Sequence, residues 1–413
     1  MHVLRTLHPY SWTIIIGTVF GRMATSMSIP FLAIYLTQEK GASAGFTGLI
    51  IAISSLVGIL SSFYGGYFSD RFGRKKIISI SIFGWCGVFV GFALADAIWV
   101  FFVMNALNGL CRSLFEPTSK ALLSDVTDQK NRLLVFNMRY TAINIGVVFG
   151  PLLGLYLGSA SSTAPFLIAA LVYFAYGLVL IFQFLRVKVE ETAAAGAIRI
   201  SVREAFNVTR KDTLFMFLLI GVTISVFGYS HFSATLPQFF AATPSIEDGA
   251  RLFSMMLTLN ALTVLVVQYP IVAIAKKYSL VLSLMLGNVL IALSLLSMAF
   301  LHEVIWIAAA VILFTIGEVL LFSMSDMFID EIANPDMKGT YFGAMGFTGF
   351  GSVAGPLIGG MLLDHFGAVH PIPIFTIIAF LVIIGAPFLF QVWVMLKGKE
   401  QNLKPVLKKE HVR

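Results

Sequence analysis

Apolar runs of about 20 residues recur from end to end of the chain, each long enough to cross a hydrocarbon core of about 30 Å as a helix. In lipid every backbone N–H and C=O needs an internal partner, which leaves helices and closed barrels as the only spanning structures. Barrel strands alternate over about 10 residues, whereas these runs are continuously apolar, so they are helices. Twelve lie at approximately 11–38, 45–69, 77–95, 98–124, 133–158, 164–185, 213–240, 252–275, 280–300, 304–328, 340–363 and 373–396. Of the 413 residues 58% are hydrophobic and only 12% charged, against about 25% charged in soluble domains. The first run holds Arg22 and shows no small-residue cleavage site, so it is expected to stay as a helix and not be removed as a signal peptide. Cys86 and Cys111 sit inside apolar runs and offer neither a disulfide framework nor a metal spacing.

Assigning the connectors alternately to two sides puts 22 Lys and Arg residues on one side and 2, Lys40 and Arg251, on the other. The positive-inside rule then predicts a multi-pass protein of the cell (plasma) membrane with both termini cytoplasmic. The formal charge of +7 follows from that bias and needs no nucleic-acid partner. The only long polar segment inside the chain, residues 186–212, divides the runs into six and six. The expected organisation is an N-terminal bundle over 1–185, a cytoplasmic linker over 186–212, a C-terminal bundle over 213–396 and a basic cytoplasmic tail over 397–413. Within the linker, SVREAFNVTRK reads either as a short amphipathic surface helix or as a solvated connector.

Residues 146–154 read GVVFGPLLG and residues 351–359 read GSVAGPLIG, an offset of 205 that also lays Asp125 on Asp330. A repeat at half the chain length, in matching runs, predicts two six-helix bundles related by a pseudo-two-fold axis along the membrane normal. The fold class is thus an all-α polytopic membrane protein with twelve transmembrane helices, working by alternating access to a central site.

The loop between the second and third runs reads GGYFSDRFGRKK, and its Gly66, Asp70, Arg71, Gly73, Arg74 and Lys75 resemble the G-x-x-x-D-R-x-G-R-K signature of the major facilitator superfamily. Gly66 permits close helix approach, Gly73 a turn at positive φ, and Asp70 an approach to the N-terminal end of a neighbouring helix. The resemblance implies that this neighbour is the eleventh helix, starting near Gly339, and that Arg74 pairs with Asp125, forming a cytoplasmic latch. The equivalent stretch of the second half, YPIVAIAKKYS, has neither the Asp nor the Gly, so the latch is expected on one side only. The fifth-run pattern of Gly146, Gly150, Pro151 and Gly154 resembles the superfamily signature of antiporters, mainly drug and metabolite exporters. Where exporters carry an arginine in the fourth helix, this chain has Asn105 in NALNG. The proline motifs of sugar porters and the E-x-x-E-R of proton-coupled peptide symporters are missing. Of the arginine pair of organophosphate exchangers, Arg22 fits the first and the seventh run supplies none.

A charge at mid-span costs about 3 kcal/mol even on the lenient insertion scale, so Arg22, Arg112, Glu116, Arg139, Glu318 and Asp326 are candidate proton-coupling or substrate residues. Glu318 stands in VILFTIGEVLLFSM, and its Gly317-Glu318-Val319 is similar to the acid of some proton-driven drug exporters. It reads as a proton carrier or substrate contact, or as one half of an ion pair with Arg22 or Arg112. Arg112 and Glu116, one turn apart on one helix face, read equally as a self-neutralising pair. Arg139 reads as a gate or a substrate residue, and His231 as a hydrogen-bonded structural histidine.

The function these features imply is a proton-coupled antiporter exporting amphiphilic or cationic small molecules. The alternatives are a proton symporter importing a metabolite or peptide through Arg22, and a receptor or lipid scramblase on the same fold. The expected partners are a small-molecule substrate, protons and the lipid bilayer, with a monomer sufficient for function. Neither enzymatic activity nor a cofactor is expected, and no G-x-x-x-x-G-K-[ST] occurs in the chain.

Overall fold

Continuous apolar sequence closes its backbone hydrogen bonds along each run, and the result is helix through most of the described residues. The computed structural model describes residues 7–42, 44–157, 163–187, 201–243, 249–275, 277–300 and 303–410. The first half contributes α1 (Pro9–Ile34), α2 (Ala44–Phe72), α3 (Arg74–Leu94), α4 (Ile98–Asp125), α5 (Arg132–Leu157) and α6 (Ala164–Arg186). A connector helix α7 (Val202–Lys211) precedes α8 (Thr213–Ala242), α9 (Gly249–Ala275), α10 (Leu280–Ser297) and α11 (Val304–Ile332). The eleventh run forms α12 (Lys338–Ala344) and α13 (Gly349–Phe366), joined by the 3₁₀ turn Met345–Thr348. The twelfth forms α14 (Pro371–Ile383) and α15 (Gly385–Glu410). Among the described residues 11 helices are long and apolar enough to cross a membrane. The 26-residue α1 is a further long apolar helix, in the place of the first run.

Three departures from the run boundaries have local causes. α1 ends in a π turn, Tyr35–Glu39, which extends the first run without continuing the α ladder. The eleventh run breaks where Gly343, Gly346, Gly349 and Gly351 lower helix propensity within a few residues. The last helix runs on through the basic tail as far as Glu410, because Lys, Glu, Gln and Leu are good helix formers with or without lipid around them.

By contact the chain divides into two compact units. The first is Met1–Phe206 with Ile329–Phe347, and the second is Asn207–Phe328 with Thr348–Arg413. In the first, α2 and α4 come together backbone to backbone: a Cβ at Gly109 would lie within 2.9 Å of the Ser54 backbone, and one at Gly65 would meet Ser113. In the second, α10 and α11 meet at Gly287 and Gly317, where a Cβ on either would sit 2.8 Å from the other's carbonyl oxygen. Small residues supply such contacts in lipid, where no hydrophobic drive brings helices together. Residues 188–200 of the linker lie outside the described residues. α7 starts with a reciprocal cap, the Ser201 N–H donating to Glu204 Oε2 at 2.6 Å and the Glu204 N–H to Ser201 Oγ at 3.2 Å. These bonds hold the Glu204 carboxyl below the usual carboxylate range.

Candidate functional site

The loop after α2 turns at Gly73, whose φ of 94° lies in a region that disfavours any side chain. The turn sets Asp70 and Arg74 on one buried spot. Asp70 Oδ1 accepts the Gly339 N–H at 2.9 Å, and Oδ2 accepts the Thr340 N–H and hydroxyl, each at 2.6 Å. Gly66 makes room, since a Cβ there would collide with the Gly339 carbonyl. Arg74 reaches both Asp70, through Nη1, and Asp125, through Nε at 3.1 Å. Arg71 lies outside this knot, donating to the Tyr67 hydroxyl at 2.7 Å, and the Lys75 ammonium stands 5.8 Å over the Tyr10 ring.

The second-half counterpart of Asp125 carries a network of its own. Asp330 is 3% exposed and accepts from Arg132 Nη1 and from Lys338 Nζ, each at 2.8 Å, and from the Ser124 hydroxyl. Lys338 also donates to Ser124 Oγ at 2.5 Å. Both networks lie within the first unit. The second half therefore supplies an acid to this end of the molecule, although its own α9–α10 connector has neither Asp nor Gly.

Deeper in the first unit the structure brings together four of the six intramembrane charges. Glu116 does not pair with Arg112 on its own helix. Its Oε1 accepts from Arg22 Nη2, 94 residues away on α1, and its Oε2 from Arg139 Nη2 on α5. Arg112 lies within electrostatic reach of Arg22, Glu116 and Tyr173. A cavity of about 210 Å³ opens beside the cluster, with Arg22, Arg112, Glu116, Trp85, Asn105 and Tyr173 among its walls. Its polar wall is a directed chain: the Trp85 indole donates to Asn108 Oδ1 at 2.8 Å, Asn108 Nδ2 to Asn105 Oδ1 at 3.0 Å, and Asn105 Nδ2 to the Ile50 carbonyl at 2.6 Å. Asn105 thus fills its position as a structural amide.

The fifth-helix glycines fix the height of that cluster. A Cβ at Gly146 would lie 2.6 Å from Arg22 Cβ and 2.7 Å from the Val19 carbonyl, and one at Gly150 would collide with Ser26. Ser26 ties the same turn by donating to the Arg22 carbonyl at 2.6 Å and the Gly146 carbonyl at 2.9 Å. The surroundings of Pro151 and Gly154 lie outside the described residues. In the second unit Gly351 packs on Thr223 and Phe227 of α8, Gly355 on Ser230, and Gly359 on His231 and Thr235. His231 is fully buried, and its Nδ1 shares a hydrogen bond of 2.7 Å with Thr235 Oγ1.

Glu318 and Asp326 share α11 in the second unit. Asp326 is half-buried. Glu318 is 2% exposed, and its Oε2 accepts from Asn260 Nδ2 at 2.8 Å, while the same amide donates to Thr315 Oγ1 at 2.9 Å. The Tyr229 hydroxyl also hydrogen-bonds Glu318. Aromatic rings enclose the group, Tyr229 standing 6.0 Å from Phe314 and 4.9 Å from Phe322. Tyr229, Asn260, Asn108, Trp85 and Tyr173 are absent from a census confined to charges. A lone amide in an apolar run, such as Asn260 in TLNAL, is the signal that finds them.

The profile of the Major Facilitator Superfamily matches residues 14–350. The chain is 60% identical over 385 residues to the uncharacterized MFS-type transporter YqjV of Bacillus subtilis (strain 168), covering 93% of this chain and 94% of that protein. It is 29% identical to a Na(+), Li(+), K(+)/H(+) antiporter of Planococcus maritimus over 80% of this chain and 84% of that protein. With the multidrug resistance protein MdtH of Klebsiella pneumoniae (strain 342) the identity is 24%, over 81% of this chain and 82% of that protein. Among solved structures, the human organic anion transporter MFSD10 (TETRAN) shares the fold with a TM-score of 0.75 at 16% identity, over 92% of this chain and all of that one.

Proposed function

The chain belongs to the Major Facilitator Superfamily, and from that premise we propose that it is a proton-coupled antiporter exporting an amphiphilic small molecule by alternating access. It is a multi-pass membrane transporter and not an enzyme. The 22-to-2 bias of Lys and Arg supports a cell membrane placement with both termini cytoplasmic.

The observation that carries the coupling reading is the environment of Glu318. A carboxyl 2% exposed, met by the neutral Asn260 and Tyr229, has partners that serve both of its protonation states. The tyrosine hydroxyl donates to a carboxylate and can accept from a carboxylic acid, and the amide donates to the remaining oxygen in either case. Glu116 is different, because each of its oxygens already receives a guanidinium N–H. Glu318 is therefore the proton carrier in this reading. Glu116 is a fixed counter-charge, and the Asp70 and Asp330 networks hold the latch. A distant relative that is an antiporter by name supports the exchange mode. Import through Arg22 finds less support, because that guanidinium is already engaged by Glu116.

The test is transport in proteoliposomes with a simultaneous internal pH readout, screening tetracycline, ethidium and small aromatic acids. An imposed pH gradient drives the substrate and substrate moves protons in return. Glu318→Gln lowers both by about two orders of magnitude and retains substrate counterflow. Undiminished pH-driven transport by that variant removes Glu318 from the role.

A further inference from the structure

Arg112 is the one cation of the first unit's charged cluster that makes no hydrogen bond or ion pair among the described residues. It sits in the middle of α4, yet its side chain is exposed, because it faces the cavity. The nearby acid is fully engaged: both oxygens of Glu116 accept from Arg22 and Arg139. Three guanidiniums against one carboxylate leave the cluster with two positive charges in excess. Glu116 is within electrostatic reach of Arg112 but gives it no hydrogen bond. An intramembrane guanidinium with its N–H groups unfilled is expensive, and such residues face a cavity and find a partner there.

The rest of the wall says what kind of partner. Trp85 and Tyr173 stack at 5.0 Å, and Phe115 stands edge-on to Trp85 at 5.5 Å, giving an aromatic side to the space. The Tyr173 hydroxyl is already held, donating to the Gly21 carbonyl at 2.9 Å and sharing a 2.7 Å hydrogen bond with Thr25. The Asn105–Asn108 chain is likewise satisfied internally. The strongest unfilled hydrogen-bonding capacity on the wall is thus the Arg112 fork, whose planar N–H array matches a carboxylate with two parallel bonds. At about 210 Å³ the space is smaller than the roughly 300–1,000 Å³ of drug-sized pockets. It suits an acid head with one ring.

We infer that the first unit's cavity is a binding site for a small aromatic carboxylate, with Arg112 as the residue that holds the acid and the stacked Trp85–Tyr173 pair, with Phe115, as the aromatic wall on one side of the ring. The substrate class is then organic anions and not cations. This assignment rests on the transporter reading above only for its role in export, since the site itself is an equilibrium binding site.

Binding to the purified full-length protein in nanodiscs, read by calorimetry, separates the two. The probes are benzoate, benzamide and benzamidine, which present one ring with a negative, neutral and positive head. Benzoate binds at least tenfold more tightly than benzamide, and benzamidine does not bind. Arg112→Gln removes the preference for benzoate over benzamide, and Arg112→Lys, which keeps the charge but loses the fork, weakens benzoate several-fold while preserving its rank. Should Arg112→Gln fail to fold, the lysine variant and the wild-type ranking of the three probes decide. Equal binding of the probes, a preference for benzamidine, or benzoate binding indifferent to both substitutions overturns the assignment and leaves the Glu318 coupling reading untouched. Benzoate binding without pH-driven transport overturns the coupling reading and leaves this site standing.

Discussion

Glu116 and Glu318 are both acids in apolar helices, and the two units treat them in opposite ways. Glu116 is gripped by guanidiniums from α1 and α5, so it welds three helices of the first unit. Glu318 is met by an amide and a phenol in an aromatic nest, so its charge is not required by its neighbours Asn260 and Tyr229. In the function proposed above, one acid is architecture and the other is available for change.

The most damaging way to probe that contrast is to remove each acid in turn. Breaking a fully buried ion pair from one side costs about 3–5 kcal/mol. The Glu116 carboxylate is part-buried, so Glu116→Ala is expected to approach that range and to lower the thermal unfolding temperature in detergent. Glu318→Gln keeps a shape that Asn260 and Tyr229 can still bond and is expected to change stability by about 1 kcal/mol or less. Equal losses in the two variants would erase the distinction. In transport the order reverses among variants that fold: Glu318→Gln should lower pH-driven flux by about two orders of magnitude, the scale on which a positioned proton-transfer group acts.

Smaller changes sharpen the same comparison. Gly146→Ala and Gly351→Ala each force a methyl into backbone contact and should each destabilise by about 1–3 kcal/mol. Only the first should also disturb the Arg22–Glu116 pair, seen as weaker benzoate binding. Tyr229→Phe removes a single hydrogen bond, worth about 1 kcal/mol, and should slow proton-driven flux about fivefold with stability nearly unchanged. If it slows nothing, the phenol is packing and not part of the carrier.

Much of this was legible in the residues. Continuous apolar runs specified helices, GGYFSDRFGRKK pointed to the Gly73 turn, and the two Gly-Pro motifs marked matching positions in the halves. What sequence could not supply was partnership. The four-residue spacing of Arg112 and Glu116 permits a pair on one helix face, but a guanidinium arriving from α1 competes for the same carboxylate, and nothing periodic announces it. Lys338 and Arg132 read as ordinary topogenic charges until folding set them against Asp330. Asn260 and Tyr229 carry no charge, so a census of charges passes over them; the lone amide of TLNAL is the weaker signal that marks Asn260, and only the fold shows that it and Tyr229 meet Glu318.

The glycine contacts repeated in the two units bear on how such a chain can drift. Gly146 and Gly351 leave no space for a methyl group against α1 and α8. The residues they touch differ freely, an arginine at one place and Thr223 and Phe227 at the other. The two units thus make the same demand on helix spacing while the side chains opposite the glycine differ. A substitution on the facing turn of α1 or α8 is compatible with this packing only while the glycine opposite it stays a glycine.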